Sequence, residues 1–216
     1  MRSIVTATLI SVFSVASLSA FEKSRAKSWE FYLGPQYTTS KTLEFEGGAK
    51  ADINDQSSFT FGLGYNFDAH INIGMMFNYA STNYEGTAKN REGETKIFVS
   101  NLSTSTMNFT ATYNILEGAF TPYVTGNFGL MYIDSGVGTG DRGAGCWWDP
   151  WYGYVCYPYE TTYSSSRFNY GGQVGLRYDF GNALFIKGGV GINYVDLDTT
   201  NSSDFVVYNL SMGLLF

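Results

Sequence analysis

Long apolar runs are scarce in this 216-residue chain. Past a stretch between Ile4 and Val15, nothing approaches the ~18 apolar residues that a membrane helix needs. Any membrane crossing by the body of the chain must therefore use strands. Basic charge is also in deficit, with 13 Lys and Arg against 19 Asp and Glu and a formal charge of −6, which argues against a nucleic-acid partner, since that would want a basic face. Proline is limited to 4 residues, histidine to one and cysteine to 2. What is plentiful is glycine, at 25 residues, and aromatic side chains, at 18%. The mean hydropathy of −0.11 fits a water-soluble domain and equally a barrel whose lumen and loops are polar.

The first twenty residues read as a secretory signal peptide. Met1-Arg2 is a short basic start, Ile4 to Val15 is apolar, and Ser17-Leu18-Ser19-Ala20 is a small-residue exit. Cleavage is expected after Ala20, with Ser19 as the alternative because Leu18 stands third before the cut. No Cys follows the apolar stretch, so a lipid-modified terminus is not expected. The division is thus residues 1–20 as signal peptide and 21–216 as one domain.

Side chains of a strand alternate between its faces, and period-two alternation recurs in eight runs. They are Trp29 to Thr38, Ser58 to Phe67, Ile71 to Ala80, Thr104 to Ile115, Pro122 to Ile133, Arg167 to Phe180, Leu184 to Val195 and Val206 to Phe216. In the last, Val206, Tyr208, Leu210, Met212, Leu214 and Phe216 share one face, while Val207, Asn209, Ser211, Gly213 and Leu215, mostly small or polar, share the other. A greasy face that continues to the final residue suits lipid better than a soluble core. Connections at 68–70, 116–121 and 181–183 are tight; those at 39–57, 81–103, 134–166 and 196–204 are long. Short and long joints alternate, so each kind lies at its own end of the sheet. Ten residues at ~3.3 Å each, tilted, span roughly 25 Å of bilayer. Aromatics gather at the strand ends: Trp29, Phe67, Tyr113, Phe180 and Phe216 at the turn end, Tyr37, Phe59, Tyr79, Tyr132, Phe168 and Tyr194 at the loop end. These features predict an all-β fold, an eight-stranded antiparallel up-and-down transmembrane β-barrel.

The chain resembles the small outer-membrane β-barrel family typified by the transmembrane domain of outer-membrane protein A. Carrying the resemblance are Phe120-Thr121-Pro122-Tyr123-Val124-Thr125-Gly126-Asn127-Phe128-Gly129, Gly171-Gly172-Gln173-Val174-Gly175-Leu176-Arg177-Tyr178 and the terminal Phe216. It implies a bacterial outer-membrane location with both termini periplasmic. It also implies contact with membrane lipid and lipopolysaccharide, and a terminal Phe216 that acts as a signal to the barrel assembly machinery. Nothing follows Phe216, so the peptidoglycan-binding domain of some relatives, and a cell-wall anchoring role, are not expected.

Inward positions carry Asn, Thr, Gln and Gly together with Glu30, Arg177, Asp179 and Lys187. All four charges fall toward the turn end, and unpaired they would cost several kcal/mol each. A mutually satisfied network is expected there, read as a structural plug ahead of a gate. His70, the only histidine, sits in the first tight turn. Barrel enzymes acting on lipid A would need a catalytic His at the opposite end, so no catalytic residue is assigned and no enzyme is expected. Gly138-Thr139-Gly140-Asp141-Arg142-Gly143 spells a dinucleotide fingerprint, but Gly145 and Pro150 leave no helix to meet a pyrophosphate; a flexible loop is expected. Asp196, Asp198 and Asp204 read as a solvated acidic loop, and no metal or cofactor is assigned.

The third long connection holds both cysteines. Cys146 and Cys156 bracket Trp147, Trp148, Trp151, Tyr152 and Tyr154. In an exported protein this predicts a disulfide, and the aromatics form a candidate external binding loop. A host surface, a glycan or a phage would be its partner; the alternative is an aromatic hairpin resting on the barrel rim. The function expected is that of a non-enzymatic surface protein with a structural or adhesive role. The runner-up is a narrow porin, or a channel for small hydrophobic solutes of the outer-membrane protein W-like type.

Overall fold

A computed structural model describes residues 25–89, 95–149, 153–181, 183–197 and 199–216, with the backbone alone for several residues in the longest hairpins. The expected signal peptide at 1–20 lies outside the described residues. Ten strands follow in chain order: β1 (Ser28–Thr38), β2 (Lys41–Glu44), β3 (Lys50–Ile53), β4 (Gln56–Asn66), β5 (Ile71–Lys89), β6 (Thr95–Asn114), β7 (Phe120–Asp149), β8 (Gly153–Asp179), β9 (Leu184–Val195) and β10 (Asp204–Leu215). Eight of them close a hydrogen-bonded ring, β1-β4-β5-β6-β7-β8-β9-β10, in which every neighbouring pair is antiparallel. The seam continues to the last residue: the Trp29 amide donates to the Phe216 carbonyl at 2.8 Å and the Phe216 amide returns to Trp29 at 3.0 Å. The eight-stranded barrel is the expected fold.

The barrel is inside-out relative to a soluble protein. Along β1, Ser28, Glu30, Tyr32, Gly34, Gln36 and Thr38 are buried while Trp29, Phe31, Leu33, Pro35 and Tyr37 are exposed. Much of the burial in the lumen is polar, with Asn66, Asn108, Asn114, Thr121 and Asn169 fully enclosed beside Tyr123 and the cluster of Tyr32, Phe185 and Leu215, while most large apolar side chains form the outer wall. Glycine is required where the lumen is crowded. A Cβ on Gly62 would meet the Tyr32 ring at 2.2 Å, and one on Gly34 would strike the Leu210 carbonyl oxygen of the neighbouring strand at 2.0 Å.

Two expectations about the long connections are overturned. Strands expected to end at Ala80 and Ile133, and to begin at Thr104 and Arg167, instead run on beyond the band of lipid-facing residues. The pairing of β5 with β6 is unbroken from Ile71↔Tyr113 to Lys89↔Thr95. That of β7 with β8 reaches Asp149↔Gly153, so the stretch expected to be a flexible loop at Gly138–Gly143 is strand, interrupted by register shifts on either side of Gly138. The physical reason is that alternation of hydrophobicity reports lipid on one face. Past the aromatic girdle the outward positions become Ser81, Asn83, Asn101 and Ser103, and the pattern vanishes while the backbone ladder continues. The first long connection also holds structure: β2 and β3 form a hairpin around a 3-10 turn at Glu46–Gly48, and β3 pairs with β5 from Ile53↔Tyr84 to Lys50↔Thr87. Leu43, Ile53 and Tyr84 are buried together there, with Phe45, Leu102, Val137, Leu197 and Phe205 packed against them.

Candidate functional site

Three places on this scaffold have the makings of a site: the ionic half of the lumen, the loop-end half above it, and the tip of the β7–β8 ribbon.

At the turn end the four charges expected to share one half of the lumen do meet. Arg177 Nη1 donates to Glu30 Oε2 at 2.7 Å and its Nε to Asp179 Oδ1 at 2.7 Å, and Lys187 Nζ reaches Glu30 Oε1 at 3.4 Å. The sequence reading missed a fifth member. Arg25 precedes β1, yet it folds under the barrel to Asp179 at 3.0 Å and donates to the Gly118 carbonyl. A lone Arg before the first strand carried no periodic signal that could have revealed this. Aromatic faces cover the cations, with Lys187 Nζ 3.3 Å from the Tyr32 ring centre and Arg177 Cζ 4.1 Å from that of Phe185. Asn66 Nδ2 adds a donor to Glu30, and Asn72 donates in turn to Asn66. Glu30, Arg177, Asp179 and Arg25 are each at most 2% exposed, so the group fills the axis rather than lining a water channel.

Outside the wall at the same end, His70 bridges two turns. Its Nδ1 donates to the Asn114 carbonyl at 2.8 Å and its Nε2 lies 3.2 Å from Glu117 Oε1. The Asn114 carbonyl raises the imidazole above its ordinary range, desolvation opposes it, and Glu117 adds to the rise. This is a tie between turns.

Above the ionic layer the lumen widens into a cavity of about 340 Å³. Its walls are apolar where the β2–β3 hairpin and the extended parts of β5 and β6 lean in, through Leu43, Phe45, Ile53, Tyr84, Phe98 and Leu102. Its inner surface is polar, with Gln36, Asn78, Thr106 and Asn108. Asp204 at the rim is held well down, to about 2, by the hydroxyl of Ser202 and by Lys41 at 2.9 Å. Among the described residues no group of His, Cys, Asp and Glu could hold a metal ion; Asp198 lies outside them.

The ribbon carries the aromatic segment. Beyond Asp134 strand β7 has no further pairing with β6, and β8 meets β9 only from Asn169 onward. The intervening two-stranded tongue therefore stands alone, and the twelve residues from Gly138 to Asp149 carry it roughly 35 Å outward. Cys146 and Cys156 are register partners, as are Trp148 and Tyr154 two positions further out. Directly opposed residues share a face, and Trp148 and Tyr154 are 73% and 69% exposed. Of the other expected loop residues, Trp151 and Tyr152 lie outside the described residues, as do the side chains of Cys146 and Trp147. At the far end of the molecule, Phe216 is 64% exposed on the outer wall beside the seam.

No curated protein matches the sequence. The family description "Outer membrane protein beta-barrel domain" matches residues 5–216. Among solved structures the chain is similar to the outer membrane protein OprG from Pseudomonas aeruginosa, with 14% identity, a TM-score of 0.53, and 88% of this chain and 96% of that one covered. It is also similar to Ail, the attachment invasion locus protein of Yersinia pestis, in complex with the heparin analogue sucrose octasulfate. There the identity is 14%, the TM-score 0.50, and the coverage 88% and 99%. Identities this low carry the fold alone.

Proposed function

The chain belongs to the outer-membrane protein β-barrel family, and from that premise we propose that it is a non-enzymatic surface protein whose β7–β8 tongue engages an external partner through its aromatic tip. The observation that carries this reading is the exposed Trp148–Tyr154 pair at the end of a ribbon detached from the barrel wall on both edges. Rigid amphipathic rings are the side chains that anchor interfaces best, and an exposed cluster of them invites unwanted association unless a partner uses it. The Cys146↔Cys156 register is the opposition that a cross-strand disulfide requires. Such a bond would hold the tip in one shape and lower the ordering cost of binding. With the turns facing the periplasm, both termini lie there, the tongue faces outward, and Phe216 serves the assembly machinery. Lipid and lipopolysaccharide surround the wall.

Charge narrows the partner. The connections at 39–57, 81–103, 134–166 and 196–204 together carry fourteen carboxylates and six cations. A sulfated glycan such as the one bound to Ail would meet like charge here. Neutral glycans, or a protein surface with cationic and apolar character, fit this end better. The channel alternative is disfavoured by the ion-paired layer across the axis.

Replacing Trp147, Trp148 and Trp151 with Ala, and separately Cys146 and Cys156 with Ser, should leave barrel assembly intact, because the tongue lies beyond the lipid band. Binding of cells displaying the protein to host cells, phage or a neutral-glycan array should fall at least tenfold for the Trp variant. The Cys variant should show a smaller loss. Undiminished binding by both variants would reduce the tongue to scaffold.

A further inference from the structure

We propose that the loop-end half of the lumen is a blind binding cup for one small neutral molecule, with an apolar two-ring body and a hydrogen-bond donor at its inner end. The inference rests on the cavity alone and stands or falls independently of the aromatic tongue.

Size comes first. A volume of about 340 Å³ is roughly twice the ~150 Å³ apolar cavity that takes up benzene, and it falls within the ~300–1,000 Å³ typical of small-molecule sites. The walls decide polarity. The hairpin β2–β3 brings Leu43, Phe45 and Ile53 against Tyr84, Phe98 and Leu102, and these six make a sleeve for an apolar body. Charge is decided by the only ionic side chain of the lining among the described residues, Lys50, whose ammonium is engaged by Glu44 at 2.5 Å. Among the described residues an anion would find no free cation there, and a cation no free carboxylate, which favours a neutral ligand.

The inner end then specifies chemistry. Asn108 is the lining residue deepest along β6 and is fully buried. Its Nδ2 donates to Asn127 Oδ1 at 3.3 Å, while its Oδ1 accepts no hydrogen bond; Gln56 Oε1, also in the lining, accepts none either. A buried acceptor without a donor costs ~1–3 kcal/mol; both oxygens are closed off from the cavity surface as the side chains stand, and an O–H or N–H carried by the ligand would relieve Asn108 once its amide turns toward the cavity. Below Asn108 the Tyr32 ring and the layer of Glu30, Arg177 and Asp179 close the axis. The molecule thus enters and leaves by the same mouth.

The test uses the full mature chain in lipid nanodiscs and equilibrium dialysis of 2-naphthol against empty nanodiscs as background. One saturable site is expected, with naphthalene at least tenfold weaker and 2-naphthalenesulfonate unbound. Ala51→Trp and Ile133→Trp each place an indole in the cavity from a different element, the hairpin and the barrel wall, so at least one should fold. Each folded variant should lose saturable uptake at least tenfold while keeping its heat-shifted gel mobility. Asn108→Leu should keep uptake but abolish the preference of naphthol over naphthalene. Uptake equal to empty nanodiscs, or uptake unmoved by both Trp variants, would overturn the cup. A preference for naphthol that survives Asn108→Leu would overturn the assignment of the inner acceptor. Removing the tongue from Arg142 to Glu160 should leave 2-naphthol uptake unchanged, which separates this site from the adhesive one.

Discussion

Glu30 is the residue on which the lumen turns. It faces two cations, Arg177 at 2.7 Å and Lys187 at 3.4 Å, in a setting where its side chain is 2% exposed. Taking away its charge leaves both cations enclosed with one carboxylate fewer, and breaking a buried pair in this way typically costs ~3–5 kcal/mol. Glu30→Gln should therefore lower the unfolding free energy of the barrel in lipid vesicles by that amount, read as a lower urea midpoint at unchanged m-value. Lys187→Met should cost less, since Lys187 lies at the edge of the cluster and a Met would still cover Tyr32. Equal midpoints for Glu30→Gln and the parent would show that the network contributes nothing to stability. Arg25 explains why the cluster closes. Asp179 receives Arg177 on one oxygen and Arg25 on the other, so the segment before β1 is tied under the barrel floor by an ion pair with no water to compete for it.

Strand β10 shows what a single element needs in two solvents at once. Leu210 is 52% exposed to the lipid side, and Ser211, the next residue, is 5% exposed beside its register partner Lys187. Leu210→Arg sets a cation near mid-depth of the bilayer and should cost ~2–4 kcal/mol, read as a lowered urea midpoint. Ser211→Arg presents a like charge to Lys187 in a space already closed by Gly34 against the β10 backbone, and should reduce the yield of folded barrel more severely. Equal folded yields for the two would mean that the faces are not distinguished as described. The tongue obeys different rules. Both its edges are unpaired, a hazard that register shifts and twisting relieve; Gly136 and Gly140 supply φ values of +61° and +84° where β7 bends. Non-glycine residues would be strained at both positions.

For the molecule as a whole, ring closure and the filled lumen have measurable consequences. A closed barrel resists detergent until heated, so unheated and boiled samples should differ in gel mobility, and fractionation should recover the protein with outer membranes. With the ionic layer across its axis, the parent should give no stable conductance in planar bilayers. Steady ohmic current would show that the layer opens and would restore the channel reading. Much of this was legible in the residues. Period-two alternation and girdled aromatics mark the lipid band because each strand face meets a different solvent, and the inward charges stood out because no lipid-facing position tolerates them.

Sequence alone determined the elements whose side chains report their surroundings: eight transmembrane strands, the alternation of short turns and long connections, and the four charges toward one end. It could not determine what lies beyond the lipid. Once the outward positions no longer meet lipid, backbone hydrogen bonds hold a ribbon without a sustained two-residue alternation, and β5 to β8 therefore run past the ends read from pattern. Tertiary structure also decided three associations that depend on distant chain segments meeting. Arg25 docks on Asp179 across the closed seam. The β2–β3 hairpin folds over the lumen against β5. The cavity exists only because apolar residues from the hairpin, from the extensions of β5 and β6, and from the last loop converge above a polar floor. Each brings together residues far apart in the chain, which no local pattern encodes.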